Sequence, residues 1–391
     1  MALAEQRQLV ERFHAVRDFL RTTCAHWQLG SSYDAYVGAQ TREQSRLVPL
    51  LVQQFRRLMQ TLPGYRTGSR WLGFGVDGSD LGCPRTRENQ PAMGDRGKPD
   101  GTPLLSLTNL LHLQLGLPWA FRVGPASESE RAHLRDMFAE LPANSLLVAD
   151  AGFIGYQLCR DLIERNQHFL LRVGGNVRLF ESLGYAAEIA GKTVYLWPGA
   201  AQLAAQPPVT LRLIELLDEQ RQPVYLVTSV LDEQELSDAE AGEWFRLRWG
   251  LEVTFRTFKQ TLERPQTSSR TPENCYLELT WNLVGLWLLE LLTALRVSQA
   301  GHEPRSISPA LARNAIRRVL RQQSPLPGRR CALKTVLANC RLDTYQRKHA
   351  KASRDYPRKK RHQPPGPPIL KPPQPQQLQL AKQLTSIALR I

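Results

Sequence analysis

At 391 residues and 42% apolar content the chain can bury a large core, which excludes a disordered or fibrous class. Fifty-one Lys and Arg against 36 Asp and Glu leave a net charge of +15 and a pI near 9.9. That balance favours a polyanionic partner, nucleic acid before anionic membrane, because each neutralised phosphate releases a bound counterion. The six cysteines, at 24, 83, 159, 275, 331 and 340, form no CxxC pair, so neither a zinc module nor a disulfide framework is expected and a reducing cytosol fits.

The opening MALAEQRQLVERFHAVRDFL is charged throughout, where a signal peptide needs an apolar run, and no export is expected. Residues 1–68 have helical periodicity and end at the breaker-rich LPGYRTGSR; they are predicted to form a helical N-terminal domain whose expected role is DNA binding, although no helix-turn-helix stands out. From residue 71 the pattern changes: WLGFGVD reads as a strand, and TPLLSLTNLLHLQLGLPWAFRVG as two strands divided by a Gly-Leu-Pro turn. SESERAHLRDMFAEL follows as a helix with an acidic first turn, then SLLVAD as a strand, GYQLCRDLIERN as a helix and HFLLRV as a strand. Three strands, then helix, strand, helix, strand, predict a mixed α/β core whose first part covers 69–173. Residues 174–236 alternate short apolar runs with Gly and Pro and are predicted as a β-rich insertion. A long helix is expected from about 237 to 263, and helices continue to 345 to complete the core. The most apolar stretch, 276–295, is interrupted by Glu278, Asn282 and Glu290, leaving 11 uncharged residues, 279–289, too few to span a bilayer. It is predicted to be a buried helix. Residues 346–391 form a basic, proline-rich tail closed by a short amphipathic helix; nine Lys or Arg against one Asp lie between 347 and 371.

Inside EWFRLRWGLEVTFRTFKQ (243–260) one acid, Glu252, stands among Arg248, Arg256 and Lys259. On a regular helix, at about 100° per residue, these four fall within an arc of about 80°. They lie beside an apolar stripe of Trp244, Leu247, Leu251, Phe255, Phe258 and Leu262. The plain reading is a solvated Glu252–Arg256 pair worth a few tenths of a kcal/mol. Two further acids alter the weighing. Asp77 and Asp150 each end a predicted strand, and parallel neighbouring strands would aim both carboxylates from one end of the sheet. Two strand-end acids and one helical acid can serve hard Mg²⁺ ions, which bind oxygen donors, water and substrate phosphate. Two such ions about 4 Å apart drive in-line displacement at phosphorus. Asp77 in DGSD also suits an Asx turn, and Asp150 in ADAGF also suits a helix cap. Asp80 is the reserve for Asp77, with Asp95 and Asp100 read as loop acids. GFGVDG satisfies the letters GxGxxG, but no helix opens after it, so a dinucleotide site is not expected.

Phe245, Arg248, Glu252 and Lys259 have the spacing of the Y-x2-R-x3-E-x6-K signature and resemble bacterial insertion-sequence transposases of the DDE type, family four. DGS (77–79), GPASESERAHL (124–134), ADAGF (149–153) and YPRKKRHQPPGPP (356–368) are similar to other segments of that group, in order, over roughly residues 65–370. The resemblance implies an RNase H-like fold with a β-rich insertion before the glutamate helix. It implies Asp77, Asp150 and Glu252 as the metal-binding catalytic triad, for two Mg²⁺ with Mn²⁺ as substitute. Arg248, Arg256, Lys259 and Phe245 would meet DNA near the cut, Phe245 without the hydroxyl of the signature's tyrosine. Trp197 in VYLWPGA would stack on a flipped base, with a core position as the alternative. Arg358, Lys359, Lys360 and Arg361 would form a DNA-contacting arm, with a solubilising segment as the alternative. Double-stranded DNA at transposon ends and target, a homodimeric synaptic complex, no membrane and a cytoplasmic, nucleoid-associated location complete the expectation. The rivals are an inactive or domesticated DNA-binding relative and an RNase H-like nuclease without strand transfer.

Overall fold

Short polar residues start most of the longer helices. Ser32 accepts the Ala35 N–H, Ser237 that of Glu240, Thr271 that of Asn274 and Ser308 that of Leu311, each satisfying a donor that the first helical turn leaves without a partner. Proline follows the cap at 272 and 309, where its missing N–H costs nothing. The computed structural model describes residues 1–24, 26, 30–66, 68–97, 101–184, 192–218, 221–321, 333–342 and 366–388. The elements are α1 (Leu9–Thr23), α2 (Tyr33–Gln60), β1 (Leu72–Gly82), α3 (Asn89–Met93), β2 (Leu104–His112), β3 (Leu117–Pro125), α4 (Glu130–Asp136), β4 (Ser145–Ala149), α5 (Tyr156–Ile163), β5 (His168–Val173) and β6 (Arg178–Phe180). They continue with β7 (Thr193–Leu196), α6 (Gly199–Leu203), β8 (Val209–Leu217), β9 (Pro223–Thr228), α7 (Asp238–Leu247), α8 (Gly250–Arg256), α9 (Pro272–Gln299), α10 (Pro309–Leu320), α11 (Leu333–Ala338), β10 (Ile369–Lys371) and α12 (Pro375–Ala388).

The chain divides into two compact units. The first comprises Met1–Ser69, Gly75–Glu140 and Trp249–Leu342. Its strands run in the order β1-β2-β3, with β2 and β3 antiparallel and Leu107 opposite Val123. The hairpin turn lies at 113–116, not at Gly-Leu-Pro: Gly116 takes φ +66°, and Leu117 and Pro118 already belong to β3. Pro118 is tolerated inside the strand because it pairs with Leu111 where the register shifts. α9 forms the centre of this unit. Length and composition alone would let it cross a membrane, but 67% of its apolar window is buried inside the protein, and Trp287 meets the Phe55 ring of α2 edge-on at 5.4 Å.

The second unit comprises Arg70–Phe74, Leu141–Arg248 and Asp343–Ile391. Its strand order is β10-β6-β7-β8-β9-β5-β4, with the first residues of β1 beside β4, where Leu72 donates to the Asn144 carbonyl. β4 and β5 are parallel, and β9 joins β5 antiparallel, so the strands of residues 174–236 extend the ladder of the α/β core. The expected mixed α/β class is present: three consecutive strands, then parallel β4 and β5 separated by α5, the RNase H-like order. The chain's end returns to this unit. β10 pairs in parallel with β6, and Ala381 of α12 packs with Leu183, Tyr195, Trp197 and Ala201.

Candidate active site

β1 carries Asp77 between two residues that touch the glutamate segment. Side chains alternate along a strand, so Gly75, Asp77 and Ser79 share one face. A methyl group on Gly75 would lie 3.0 Å from Leu251 Cδ1 and 2.8 Å from Leu113 Cδ2; only glycine lets α8 come this close. Two residues beyond Asp77, Ser79 accepts a 2.7 Å hydrogen bond from Lys259 Nζ, which also donates to the Asp80 carbonyl at 2.8 Å. Asp77 thus stands between two contacts made by residues that bracket Glu252 in the chain. Gly250 fits its own tight place, since a Cβ there would lie 3.1 Å from Leu111. The glycines of GFGVDG that suggested a nucleotide fingerprint therefore admit helices: in the second unit, Gly73 faces the Trp244 ring of α7, which a methyl group would meet at 2.2 Å.

The long helix expected at 237–263 is interrupted. α7 ends at Leu247, where Arg248 N–H bonds the Phe245 carbonyl in a tightened turn. α8 starts at Gly250, and residues Thr257–Thr261 then widen into a π turn closed by Leu262 N–H on the Thr257 carbonyl at 2.9 Å. A regular wheel does not survive a tight turn followed by a wide one. Trp244, Leu251, Phe255, Phe258 and Leu262 are buried as the stripe predicts, whereas Leu247 is half-buried. The four charged residues do not form one solvated stripe: Arg248 is buried with its guanidinium 5.2 Å from the Phe245 ring centre, Lys259 is half-buried on β1, and Arg256 is exposed. The phenyl ring that replaces the signature's tyrosine thus retains a stacking partner.

Other acids surround Asp77 in the first unit. Asp77 Oδ1 accepts the Gly78 N–H at 2.8 Å, the Asx-type contact that DGSD also suits. The Glu130 carboxyl lies against Gly78, where a Cβ would come within 2.1 Å of it. Burial raises its pKa above the usual carboxylate range, and the Asp77 charge adds to that. Sequence periodicity did not single out Glu130; it looks like an ordinary first-turn acid. Asp80, the reserve for Asp77, is instead held by Arg96 at 2.7 and 3.0 Å. Asp95 accepts the Gly97 N–H as a loop acid, and Asp100 lies outside the described residues. Trp249 was also passed over. It is 57% exposed, three residues before Glu252, and the helical period places it beside Arg256, outside the apolar stripe.

In the second unit Asp150 directly follows β4, as predicted. It caps a short 3-10 turn, Ala151–Phe153, by accepting the Ala151 N–H, and Arg172 of β5 lies 3.8 Å from Oδ1. Trp197 does not offer a ring for stacking. It is 2% exposed, its indole N–H donates to the Gln206 carbonyl at 2.8 Å, and Phe180 packs on it edge-on at 6.4 Å. The alternative of a core position holds because a flat ring of this size is what closes the small cluster under α12. Arg358, Lys359, Lys360 and Arg361 lie outside the described residues.

Residues 72–288 match the family model described as the transposase DDE domain, a span of more than half the chain that contains Asp77, Asp150 and Glu252. The chain belongs to the DDE transposase family. Over 282 residues it is 24% identical to the transposase InsG for insertion sequence element IS4 of Escherichia coli (strain K12), covering 66% of this chain and 62% of that relative's length. Among solved structures it is similar to the piggyBac transposase synaptic complex with hairpin DNA, at 13% identity and a TM-score of 0.41, covering 77% of this chain and 63% of that one.

Membership of the family implies a divalent cation. Among the described residues, no three His, Cys, Asp or Glu side chains are gathered closely enough to hold a metal ion. Hard cations commonly take one or two carboxylates and complete their shell with water and substrate phosphate. Asp77, Asp150 and Glu252 are partly exposed oxygen donors, and their chemistry fits such an ion.

Proposed function

We propose that this DDE family member is a DNA transposase that cuts and joins double-stranded DNA at the inverted terminal repeats of an insertion sequence. Asp77, Asp150 and Glu252 would hold two Mg²⁺, with Mn²⁺ as substitute. The carrying observation is the family match, which encloses all three acids, together with the seating of α8 on the Gly75–Asp77–Ser79 face of β1. When bound, the ions supply Lewis-acid polarisation of a phosphoryl oxygen and a nucleophilic oxygen of lowered pKa.

The chain's own residues orient the reaction. Leu251 on Gly75 fixes how far α8 stands from the strand that carries Asp77, and Arg172 stands beside Asp150 at 3.8 Å from Oδ1. Arg256 is exposed on the glutamate helix and supplies positive charge for DNA phosphate, as do Arg358, Lys359, Lys360 and Arg361 of the tail. Arg248, stacked under Phe245, supports the turn that ends α7. The chain works as a homodimer on paired ends, in the cytoplasm at the nucleoid.

The test is a supercoiled plasmid carrying the flanking terminal repeats, incubated with the chain and Mg²⁺. Excision and insertion are expected, and Asp77→Ala, Asp150→Ala or Glu252→Ala each abolishes cutting while end binding persists in a mobility shift. Cutting retained by one variant removes that residue from the triad. Binding without any cutting identifies an inactive relative, and nicking without joining identifies a nuclease.

A further inference from the structure

We infer that the cavity between α1, α2 and the first turns of α9 is a nucleotide-binding site, taking a nucleobase against its floor and a phosphate at its mouth. It lies within the first unit and measures about 700 Å³, a size that admits a small-molecule ligand. Neither Asp77 nor Glu252 lines it, so the site goes beyond the transposase reading and does not depend on it.

The floor is polar and incompletely satisfied. Glu278 of α9 and Arg12 of α1 meet there, with side chains 5% and 4% exposed. Glu278 Oε2 accepts the N–H groups of Ser268 and Ser269 at 2.8 and 3.0 Å and the Ser269 hydroxyl at 2.9 Å. Its other oxygen, Oε1, is buried without a hydrogen-bond partner among the described residues. Arg12 Nη1 stands 4.0 Å from that oxygen, too far for a hydrogen bond. The guanidinium is kept at this distance because Nε and Nη2 donate to the Gln6 and Arg7 carbonyls at 2.7 and 2.8 Å. A buried pair that served stability alone would close to a charge-assisted contact. Instead a cationic donor and a carboxylate acceptor stand side by side, and the edge of a nucleobase offers an N–H donor beside an acceptor to match them.

The walls and mouth fit the rest of a nucleotide. Tyr33, Tyr36 and Trp281 line the cavity and supply aromatic surface on which a base stacks. Trp281 Nε1 is a further buried donor without a partner among the described residues. Arg7 and Arg270 are lining residues that reach solvent, with Asp34 the exposed acid among them, so a phosphate at the mouth meets two cations. An apolar ligand would leave Glu278 Oε1 and Trp281 Nε1 unsatisfied, and a bare anion would meet the Glu278 carboxylate. A nucleotide answers both.

Calorimetric titration of the full chain with dAMP tests the site, in EDTA so that no metal joins nucleotide to the acids of the proposed reaction. Saturable binding is expected, with 2-deoxyribose 5-phosphate, which lacks the base, at least tenfold weaker. Arg270→Gln, at an exposed position, is expected to keep the wild-type melting temperature and weaken dAMP about tenfold. Glu278→Gln and Trp281→Phe, which alter the floor, are each expected to weaken it as well. No binding of dAMP by the wild type overturns the proposal and would mean that water fills the cavity; equal affinity in Arg270→Gln and Trp281→Phe overturns it too, by placing the ligand elsewhere. A single-stranded oligonucleotide with a 5′-phosphorylated adenosine end that displaces dAMP assigns the site to a strand end, and one that leaves dAMP bound assigns it to free nucleotide. If the wild-type chain cuts no terminal-repeat DNA, the transposase reading fails while the titration still decides the cavity.

Discussion

Glu290 is 4% exposed at the centre of α9, and burial pushes its pKa up to about 8 from an ordinary value of 4.5. A carboxyl raised in this way keeps its proton when folded and loses it when unfolded, so between pH 4.5 and 8 the unfolded chain binds fewer protons and stability falls as pH rises. Glu290→Gln removes that slope. Thermal unfolding of variant and wild type is expected to coincide near pH 4 and to separate by a few kcal/mol in the variant's favour at pH 8; equal melting temperatures at both would show that the side chain is solvated. Sequence reading took Glu290 as an interruption of an apolar run, which it is, and could not tell a buried acid from one at the helix surface. The same limit explains the two tryptophans. Trp197 is 2% exposed and Trp249 57%, because enclosure depends on which other elements arrive above the ring.

Among the elements, the fit of helix on strand through glycine carries the architecture around Asp77. A methyl group at Gly75 would meet Leu113 and Leu251 at 2.8 and 3.0 Å, and one at Gly73 would meet the Trp244 ring at 2.2 Å. Gly75→Ala is expected to cost about 1–3 kcal/mol by overpacking, since the leucine side chains can shift, and Gly73→Ala more, since an aromatic ring gives way less easily. Urea denaturation of the two variants checks the order, and a Gly73→Ala variant as stable as the wild type would show that α7 does not press on β1. The existence and type of most elements follow from periodicity and turn residues: β1, β4, β5, α5, α9 and the closing helix are each where the pattern places them. The break of the glutamate helix at Arg248–Trp249 and its π turn do not show in the pattern, because every residue there is compatible with a continuous helix and the interruption comes from seating Gly250 on Leu111 and Lys259 on Ser79.

For the molecule as a whole, charge is the property with the longest reach. The tail run Arg358, Lys359, Lys360 and Arg361 supplies four of the 51 cations. Changing all four to Gln is expected to flatten the salt dependence of DNA binding by about 0.9 for each phosphate they neutralise, up to about 3.6 in the log–log slope. A slope unchanged by that substitution would leave the run as a solubilising segment. By itself the amino-acid sequence determined the α/β class, the basic character and the three spaced acids, since these depend on local period, net charge and residue chemistry. Only tertiary structure decided that β9 continues the ladder beside β5 and that α12 closes over Trp197. It also decided that the GFG glycines serve helix packing and that the lysine of the signature bonds the strand of the first acid. Each of these depends on which distant segment fills the space beside a residue, and no local pattern encodes that.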